Sequence, residues 1–100
     1  MWSDVNEYDA DVRLQIGQRI QQMRLDKKIA AADLAAAIDI QSNQMSRIET
    51  GRANCTVPQL YVIAQVLDCS VDFLLFGKKP LIYSQEQEDS IKALIKAFSK

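Results

Sequence analysis

The chain has 100 residues, of which 48% are hydrophobic and 25% are charged, a composition typical of one globular domain. It contains only 3 glycines and 2 prolines, too few turn-forming residues for a many-stranded β-domain. Histidine is absent, which excludes histidine-based acid–base catalysis and Cys–His nucleophile pairs and argues against most zinc sites. We therefore expect a protein that is not an enzyme and that uses no metal and no cofactor.

Nothing in the sequence predicts export or membrane insertion. No apolar stretch approaches the roughly 20 residues that a bilayer requires, and the first residues are mixed and acidic. Cys55 and Cys69 lie 14 positions apart without a Cys-x-x-Cys motif, so we expect free thiols and a cytoplasmic location. Cys55 precedes a predicted helix and is either a lone thiol, packed or exposed, or a redox sensor with a lowered pKa.

Charge is distributed unevenly along the chain, although the net charge is only −1. Residues 1–12 carry −4, residues 13–53 carry +3, residues 54–77 carry −2 and residues 78–100 carry +2. A basic segment can attract a polyanion over about 10 Å even when the whole chain is nearly neutral. The same pattern is also compatible with an ordinary solvated surface.

Apolar residues at spacings of three and four predict six helices and no strand of useful length, so the fold class is all-α. Residues 1–11 lack this periodicity and are expected to form a flexible or loosely docked acidic arm. Residues 12–77 are expected to form one domain, followed by a linker over 78–83 and an amphipathic helix over 84–100. Within the domain, helices are predicted over residues 11–26, 30–38, 42–50, 57–67 and 71–76.

Capping residues support these boundaries. The candidate caps are Asp9 or Asp11 for the first helix, Thr56 with Gln59 for the fourth, Ser70 for the fifth and Ser84 with Gln87 for the last. Gly51 and Gly77 follow the third and fifth helices, where glycine commonly ends a helix.

The segment from Ala31 to Thr50 predicts two short helices joined by a tight turn. Ala35 lies where the two helices would approach most closely, which requires a small side chain. The residues expected to face the core are Leu34, Ile38, Met45 and Ile48, with Ile40 filling the turn. The second helix of the pair then presents polar side chains to the exterior.

Four stretches of this sequence carry a family resemblance: IGQRIQQMR (16–24), ADLAAAIDI (32–40), MSRIETG (45–51) and LYVIAQVLDCSVDFLL (60–75). Together they resemble the Cro/repressor-like (XRE-type) helix-turn-helix transcriptional regulators over about two-thirds of the chain. The resemblance implies a compact five-helix, lambda-repressor-like bundle in which the second and third helices read double-stranded DNA. The predicted helix over 84–100 is additional to that bundle.

The resemblance also implies roles for individual residues. With the third helix in the major groove, the base-reading candidates are Ser42, Asn43, Gln44 and Arg47. The candidate phosphate contacts are Arg19, Gln41, Ser46 and Arg52. Arg24 and Glu49 match positions that form a structural ion pair. No small-molecule ligand is expected.

Two positions depart from the family pattern. Asp39 stands at a turn position that is often glycine, and aspartate tolerates left-handed backbone better than most residues. Ala31, preceded by Ala30, stands where a glutamine often contacts the DNA backbone. The departure at Ala31 predicts a missing phosphate contact.

The resemblance implies a sequence-specific regulator, expected to be a repressor that binds a palindromic operator as a homodimer. The alternative is a protein-interaction adaptor or an antitoxin built on the same fold. The last helix carries an apolar stripe, Ile91, Leu94, Ile95 and Phe98, which either folds back on the bundle or forms a dimer contact. The dimerisation candidates are Phe73, Phe76, Ile91, Leu94, Ile95 and Phe98.

Overall fold

A computed structural model of the chain describes residues 4–77. Within this range a short 3-10 helix and five α-helices follow one another, and no strand is present. The 3-10 helix covers Val5–Glu7, and the α-helices are α1 (Ala10–Asp26), α2 (Ala31–Ala37), α3 (Ser42–Glu49), α4 (Val57–Leu67) and α5 (Val71–Phe76). The predicted all-α, five-helix fold is confirmed. The predicted linker over 78–83 and helix over 84–100 lie outside the described residues.

One apolar core joins the five α-helices. Helix α3 packs against α1 and α2, while α4 contacts α1, α2 and α5, and α5 returns to α1. Full burial of one aliphatic side chain contributes about 1.5–3 kcal/mol, so this core supplies most of the stabilisation. Its buried hydrophobic residues are Ile16, Ile20, Leu34, Ala35, Ile38, Met45, Ile48, Ile63, Ala64, Leu67 and Leu74. No helix among residues 4–77 is long and apolar enough to cross a bilayer.

The predicted helix caps are present wherever the structure describes them. The side chain of Asp9, rather than that of Asp11, accepts a hydrogen bond from the backbone of Val12 at the start of α1. Thr56 and Gln59 form a reciprocal capping box at the start of α4. Ser70 caps α5. These bonds satisfy backbone N–H groups that have no partner within a helix.

The turn between α2 and α3 depends on a left-handed residue. Asp39 has φ 59°, as the sequence predicted for this position. The backbone N–H of Ile40 then donates to the carbonyl of Ala35 at 3.0 Å, which closes the turn. Lys28 and Asp68 also have positive φ, at the ends of α1 and α4, and the sequence analysis did not predict either.

From residue 4 onward, the N-terminal arm is more ordered than the sequence predicted. Asp4 and Glu7 form a capping box around the 3-10 helix. The hydroxyl of Tyr8 donates to Oδ1 of Asn54 at 2.8 Å, which ties the arm to the loop after α3. A single helical turn has no hydrophobic period, so the search for periodicity missed it.

A buried ion pair joins α1 to the end of α3. Nε and Nη2 of Arg24 donate to the two carboxylate oxygens of Glu49, at 2.7 and 3.0 Å. A third bond runs from Nη1 of Arg24 to the carbonyl of Ile29, at 2.9 Å, in the loop before α2. Arg24 is 8% exposed and Glu49 is 4% exposed. The hydrogen bond to Glu49 raises the pKa of Arg24, although burial opposes that shift.

Gly17 allows α1 to approach the end of α3 closely. A Cβ on Gly17 would collide with the carbonyl oxygen of Ile48 and would lie 2.6 Å from that of Glu49. One helical turn earlier, Nε of Arg13 donates to the carbonyl of Gly51 at 2.7 Å. Helix α1 therefore holds the C-terminal end of α3 through a glycine contact and two arginines.

We expect Gly17→Ala to destabilise the fold by about 2 kcal/mol. Alanine gains about 1 kcal/mol in helix propensity over glycine, but the new methyl group meets backbone oxygens that cannot rotate away. Urea unfolding followed by circular dichroism at 222 nm measures the change. Gln18→Ala, on the exposed neighbouring position, is the control and should change stability by less than about 0.5 kcal/mol. A variant Gly17→Ala as stable as the parent would contradict the close approach.

We expect Arg24→Met to cost about 3–5 kcal/mol, because it leaves the carboxylate of Glu49 buried without its partner. The double variant Arg24→Met/Glu49→Leu should recover most of that loss, since no unpaired charge remains. Chemical unfolding of the two single variants and the double variant gives the coupling free energy. Purely additive single effects would show that the pair is not coupled in the folded state.

Candidate nucleic-acid interface

Helices α2 and α3 form the two-helix unit predicted from the sequence. Ala35 is almost fully buried where the helices pack against each other. Four residues, 38–41, separate the two helices, and Ile38 within this turn is buried. The turn length and the buried small residue are those of a helix-turn-helix.

Helix α3 has one buried side and one exposed side. Met45, Ile48 and Glu49 are buried and attach the helix to the domain. The predicted base-reading residues all lie on the exposed side: Ser42, Asn43, Gln44 and Arg47. The structure therefore brings these four side chains together on one polar surface, which we call the α3 face.

Two hydrogen bonds organise the α3 face. Oδ1 of Asn43 accepts a bond from the backbone N–H of Gln44 at 2.9 Å. Oε1 of Gln44 accepts a bond from Nη1 of Arg47 at 3.2 Å. Both bonds are solvent-exposed, so they can be exchanged for bonds to another molecule at little net cost.

Three of the four predicted phosphate contacts are exposed around α3. Gln41 lies at the start of this helix, Ser46 on its outer side and Arg52 just after its end.

Ala30 caps α2 without a side-chain hydrogen bond, as its apolar side chain requires. The first turn of α2 therefore lacks a side chain that could reach a phosphate from the cap position.

Arg19, one of the predicted phosphate contacts, is bonded within the domain. Its Nη1 donates to the carbonyls of Leu74 and Leu75, at 3.1 and 3.0 Å, and Nη2 donates to Oε1 of Gln15. The last carbonyls of a helix lack partners within that helix, and this guanidinium satisfies two of them at the end of α5. Arg19 joins α1 to α5, and we leave it out of the DNA contacts proposed below.

The sequence analysis missed Arg13, which binds the loop after α3 through the carbonyl of Gly51. The available signal was its spacing: residues 13, 17, 20 and 24 recur at four, three and four positions and so share one side of α1. That side faces the end of α3.

The dimerisation candidates on α5 differ in exposure. Phe76 is 59% exposed, whereas Phe73 is half-buried and packs against the core. Leu74, between them, is fully buried, so the end of α5 is not a uniform apolar surface. The remaining candidates lie outside the described residues: Ile91, Leu94, Ile95 and Phe98.

The redox-sensor hypothesis for Cys55 is wrong. Burial raises the pKa of the Cys55 thiol to about 11 instead of lowering it, so the thiol is protonated at neutral pH. Cys69 also packs against the core, and its pKa is raised mainly by burial. Both cysteines are free thiols. Among residues 4–77, no three histidine, cysteine or carboxylate side chains form a group that could hold a metal ion.

Two sequence relatives show how this arrangement compares with known proteins. The chain is 30% identical over 82 residues to an uncharacterised HTH-type transcriptional regulator of Rickettsia prowazekii, a match that covers 77% of this chain and 63% of the relative. It is 36% identical over 64 residues to the HTH-type transcriptional regulator DicA of Escherichia coli, covering 64% of this chain and 47% of DicA. The chain thus spans about half to two-thirds of the length of these relatives.

Solved structures with the same fold include two DNA complexes. The P22 c2 repressor in complex with synthetic operator 9T is similar at a TM-score of 0.60 and 28% identity, covering 63% of this chain and 96% of that one. SinR in complex with DNA is similar at a TM-score of 0.54 and 36% identity, covering 60% of this chain and 97% of that one.

A family model for the Cro/C1-type HTH DNA-binding domain matches residues 19–75, which contain the C-terminal half of α1 and nearly all of the other four helices. Because this match covers more than half of the chain, the chain belongs to the Cro/C1-type, XRE-type family of helix-turn-helix transcriptional regulators, whose fold serves DNA binding and not enzymatic catalysis.

Proposed function

We propose that this protein binds double-stranded DNA sequence-specifically as a homodimer, with α3 in the major groove, and represses transcription. The observation that carries the proposal is the α3 face, a set of exposed polar side chains on a helix whose opposite side is buried. The major groove admits a helix and presents a different pattern of donors and acceptors for each base pair. A helix fixed from behind can present its outer side chains to that pattern.

The residue types on the α3 face suit base recognition. The amides of Asn43 and Gln44 can form paired hydrogen bonds with adenine, and the guanidinium of Arg47 can do so with guanine. Each good bidentate contact discriminates against the wrong base by about 1–3 kcal/mol. Exchanging the exposed Gln44–Arg47 bond for base contacts replaces one hydrogen bond with two or more.

Few cations are free for phosphate contacts, and this supports the homodimer. Three of the seven bases in residues 13–53 are bonded to other helices or loops of the domain: Arg13, Arg19 and Arg24. Arg47 bonds only to Gln44, on its own helix. The exposed bases are Lys27, Lys28, Arg47 and Arg52, and the exposed acids in the same segment are Asp26, Asp33 and Asp39. One copy therefore offers weak electrostatic attraction, whereas two copies on half-sites one helical turn apart, about 34 Å, double the contacts.

Repression is the regulatory outcome that the relatives support. The P22 c2 repressor was solved on an operator, and SinR was solved on DNA, with folds like that of this chain. A dimer that occupies a promoter excludes other proteins from it without any further domain. The competing function, a protein-interaction adaptor or antitoxin, predicts partner binding that needs no DNA.

We expect Arg47→Ala and Arg52→Ala to have different effects on DNA binding. Selection from random duplexes would first define the preferred operator for the full chain. Arg47→Ala should then lose about 1–3 kcal/mol on that operator and relax the preference at one base position. Arg52→Ala should weaken all sequences alike and reduce the slope of log affinity against log salt by about 1.

Fluorescence anisotropy across a salt series measures both effects, with Gln65→Ala on the exposed side of α4 as the control. Equal loss on all sequences for Arg47→Ala would contradict base reading by α3. Absence of any sequence preference in the parent chain would favour the adaptor.

A further inference from the structure

The N-terminal segment of residues 4–14 is bonded to the loop that follows α3. The hydroxyl of Tyr8 donates to Oδ1 of Asn54 at 2.8 Å. Nε of Arg13 donates to the carbonyl of Gly51 at 2.7 Å. The N-terminal segment therefore holds this loop at two points, one directly after α3 and one three residues later.

The loop presents alternate side chains to solvent. Ala53 and Cys55 are half-buried and pack against the core, whereas Arg52 and Asn54 are exposed. This alternation is that of an extended segment, in which side chains two positions apart lie on the same side, about 7 Å apart. The backbone N–H groups of Arg52 and Ala53 donate to the carbonyl of Arg47, which keeps the loop against the last turn of α3. Arg52, a proposed phosphate contact, and Asn54 therefore share one exposed surface beside the α3 face.

The bond from Tyr8 determines which half of the Asn54 amide is available to another molecule. A side-chain amide has a carbonyl oxygen, which accepts, and an NH₂ group, which donates two hydrogen bonds. The Tyr8 hydroxyl occupies the oxygen, so the NH₂ group of this exposed side chain points away from Tyr8. Side-chain amides are common donors to the phosphate oxygens of DNA.

A neutral donor suits this position better than a cation. Glu7 and Asp9 are exposed on either side of Tyr8. These carboxylates would partly neutralise a lysine at position 54 before it met DNA, whereas an amide carries no charge to neutralise. Asn54 can therefore donate to a phosphate although the arm is acidic.

We propose that Tyr8 is a positioning residue for DNA binding, which directs the NH₂ group of Asn54 to a DNA phosphate beside the one that Arg52 contacts. This inference rests on the proposed function and adds a further part to its DNA interface. Tyr8 precedes the segment that the family model matches, which begins at residue 19. The arm thus takes part in DNA binding from outside the matched domain.

Methylphosphonate substitution tests the contact of Asn54, because it removes the charge of a single phosphate. Duplexes with one such substitution at a time along the operator are titrated with the parent chain and with Asn54→Ala, using fluorescence anisotropy. We expect Asn54→Ala to bind the unmodified operator about three- to tenfold more weakly. It should also lose the penalty that the parent shows at one phosphate of each half-site. The same penalties in both proteins would overturn the proposal.

A double-variant cycle tests the positioning role of Tyr8. Tyr8→Phe removes only the hydroxyl, and we expect about threefold weaker operator binding, since the Asn54 amide is then free to rotate. In the Asn54→Ala background the same change should have no further effect, because Tyr8 acts through Asn54. Tyr61→Phe, exposed on α4, is the matched control and should bind like the parent. Binding of Tyr8→Phe like the parent, or an equal loss in both backgrounds, would overturn the proposal.

The isosteric variant Asn54→Asp separates positioning from a purely structural role of the arm. Aspartate keeps an oxygen for the Tyr8 hydroxyl but has no NH₂ group, so the arm stays bonded while the donor is lost. We expect a loss of DNA affinity at least as large as that of Asn54→Ala. Gln65→Glu adds the same charge on the exposed side of α4 and should lose less than about twofold. Equal affinities of Asn54→Asp and Gln65→Glu would overturn the proposal.

The outcomes for Tyr8 are separable from those for the proposed function. Phosphate contacts act on any sequence, so the cycle can also be measured on a random duplex. If Arg47→Ala relaxes the base preference while Tyr8→Phe binds like the parent, sequence-specific binding stands and this inference is wrong. If the parent has no sequence preference but Tyr8→Phe weakens binding only when Asn54 is present, base reading is wrong and the phosphate contact stands.

Discussion

The orientation of the helix-turn-helix depends on one side of α1, which holds the C-terminal end of α3. Gly17 brings the two backbones together, Arg13 binds the carbonyl of Gly51, and Arg24 pairs with Glu49. A helix C-terminus carries partial negative charge from its unpaired carbonyls, so two arginines placed there are favourable as well as geometrically specific. Arg24 also binds the loop before α2. The two helices of the helix-turn-helix are thereby oriented relative to α1 by a few polar contacts.

This attachment divides α3 between stability and recognition. The residues that hold it, Met45, Ile48 and Glu49, are buried, while those proposed to read DNA are exposed and bonded only to one another or to the local backbone. Substitutions on the exposed side can change sequence preference without disturbing the core. Because α3 is already fixed before it meets DNA, binding would require little ordering of the backbone, which favours affinity. A helix fixed in advance suits a domain that has few exposed basic side chains to attract DNA.

Local chemistry made most of the fold predictable. Contacts between side chains and backbone atoms distant in the sequence were not predictable. The capping box at Thr56 and the left-handed Asp39 follow from residue types at short spacing. The bonds of Arg19 connect positions about 55 residues apart and end on carbonyls, which every residue carries. No residue type marks such an acceptor in the sequence. The requirement for glycine at position 17 was also not predictable, because it becomes visible only when the backbones of α1 and α3 are placed together.

Segregation of charge along the chain bears on the proposed DNA binding. The arm over residues 1–11 carries −4, and residues 13–53, which contain α3, carry +3. The acidic arm would repel phosphate near the loop that holds Asn54 and follows α3. A homodimer would strengthen DNA binding against this repulsion, because it brings a second α3 to the DNA.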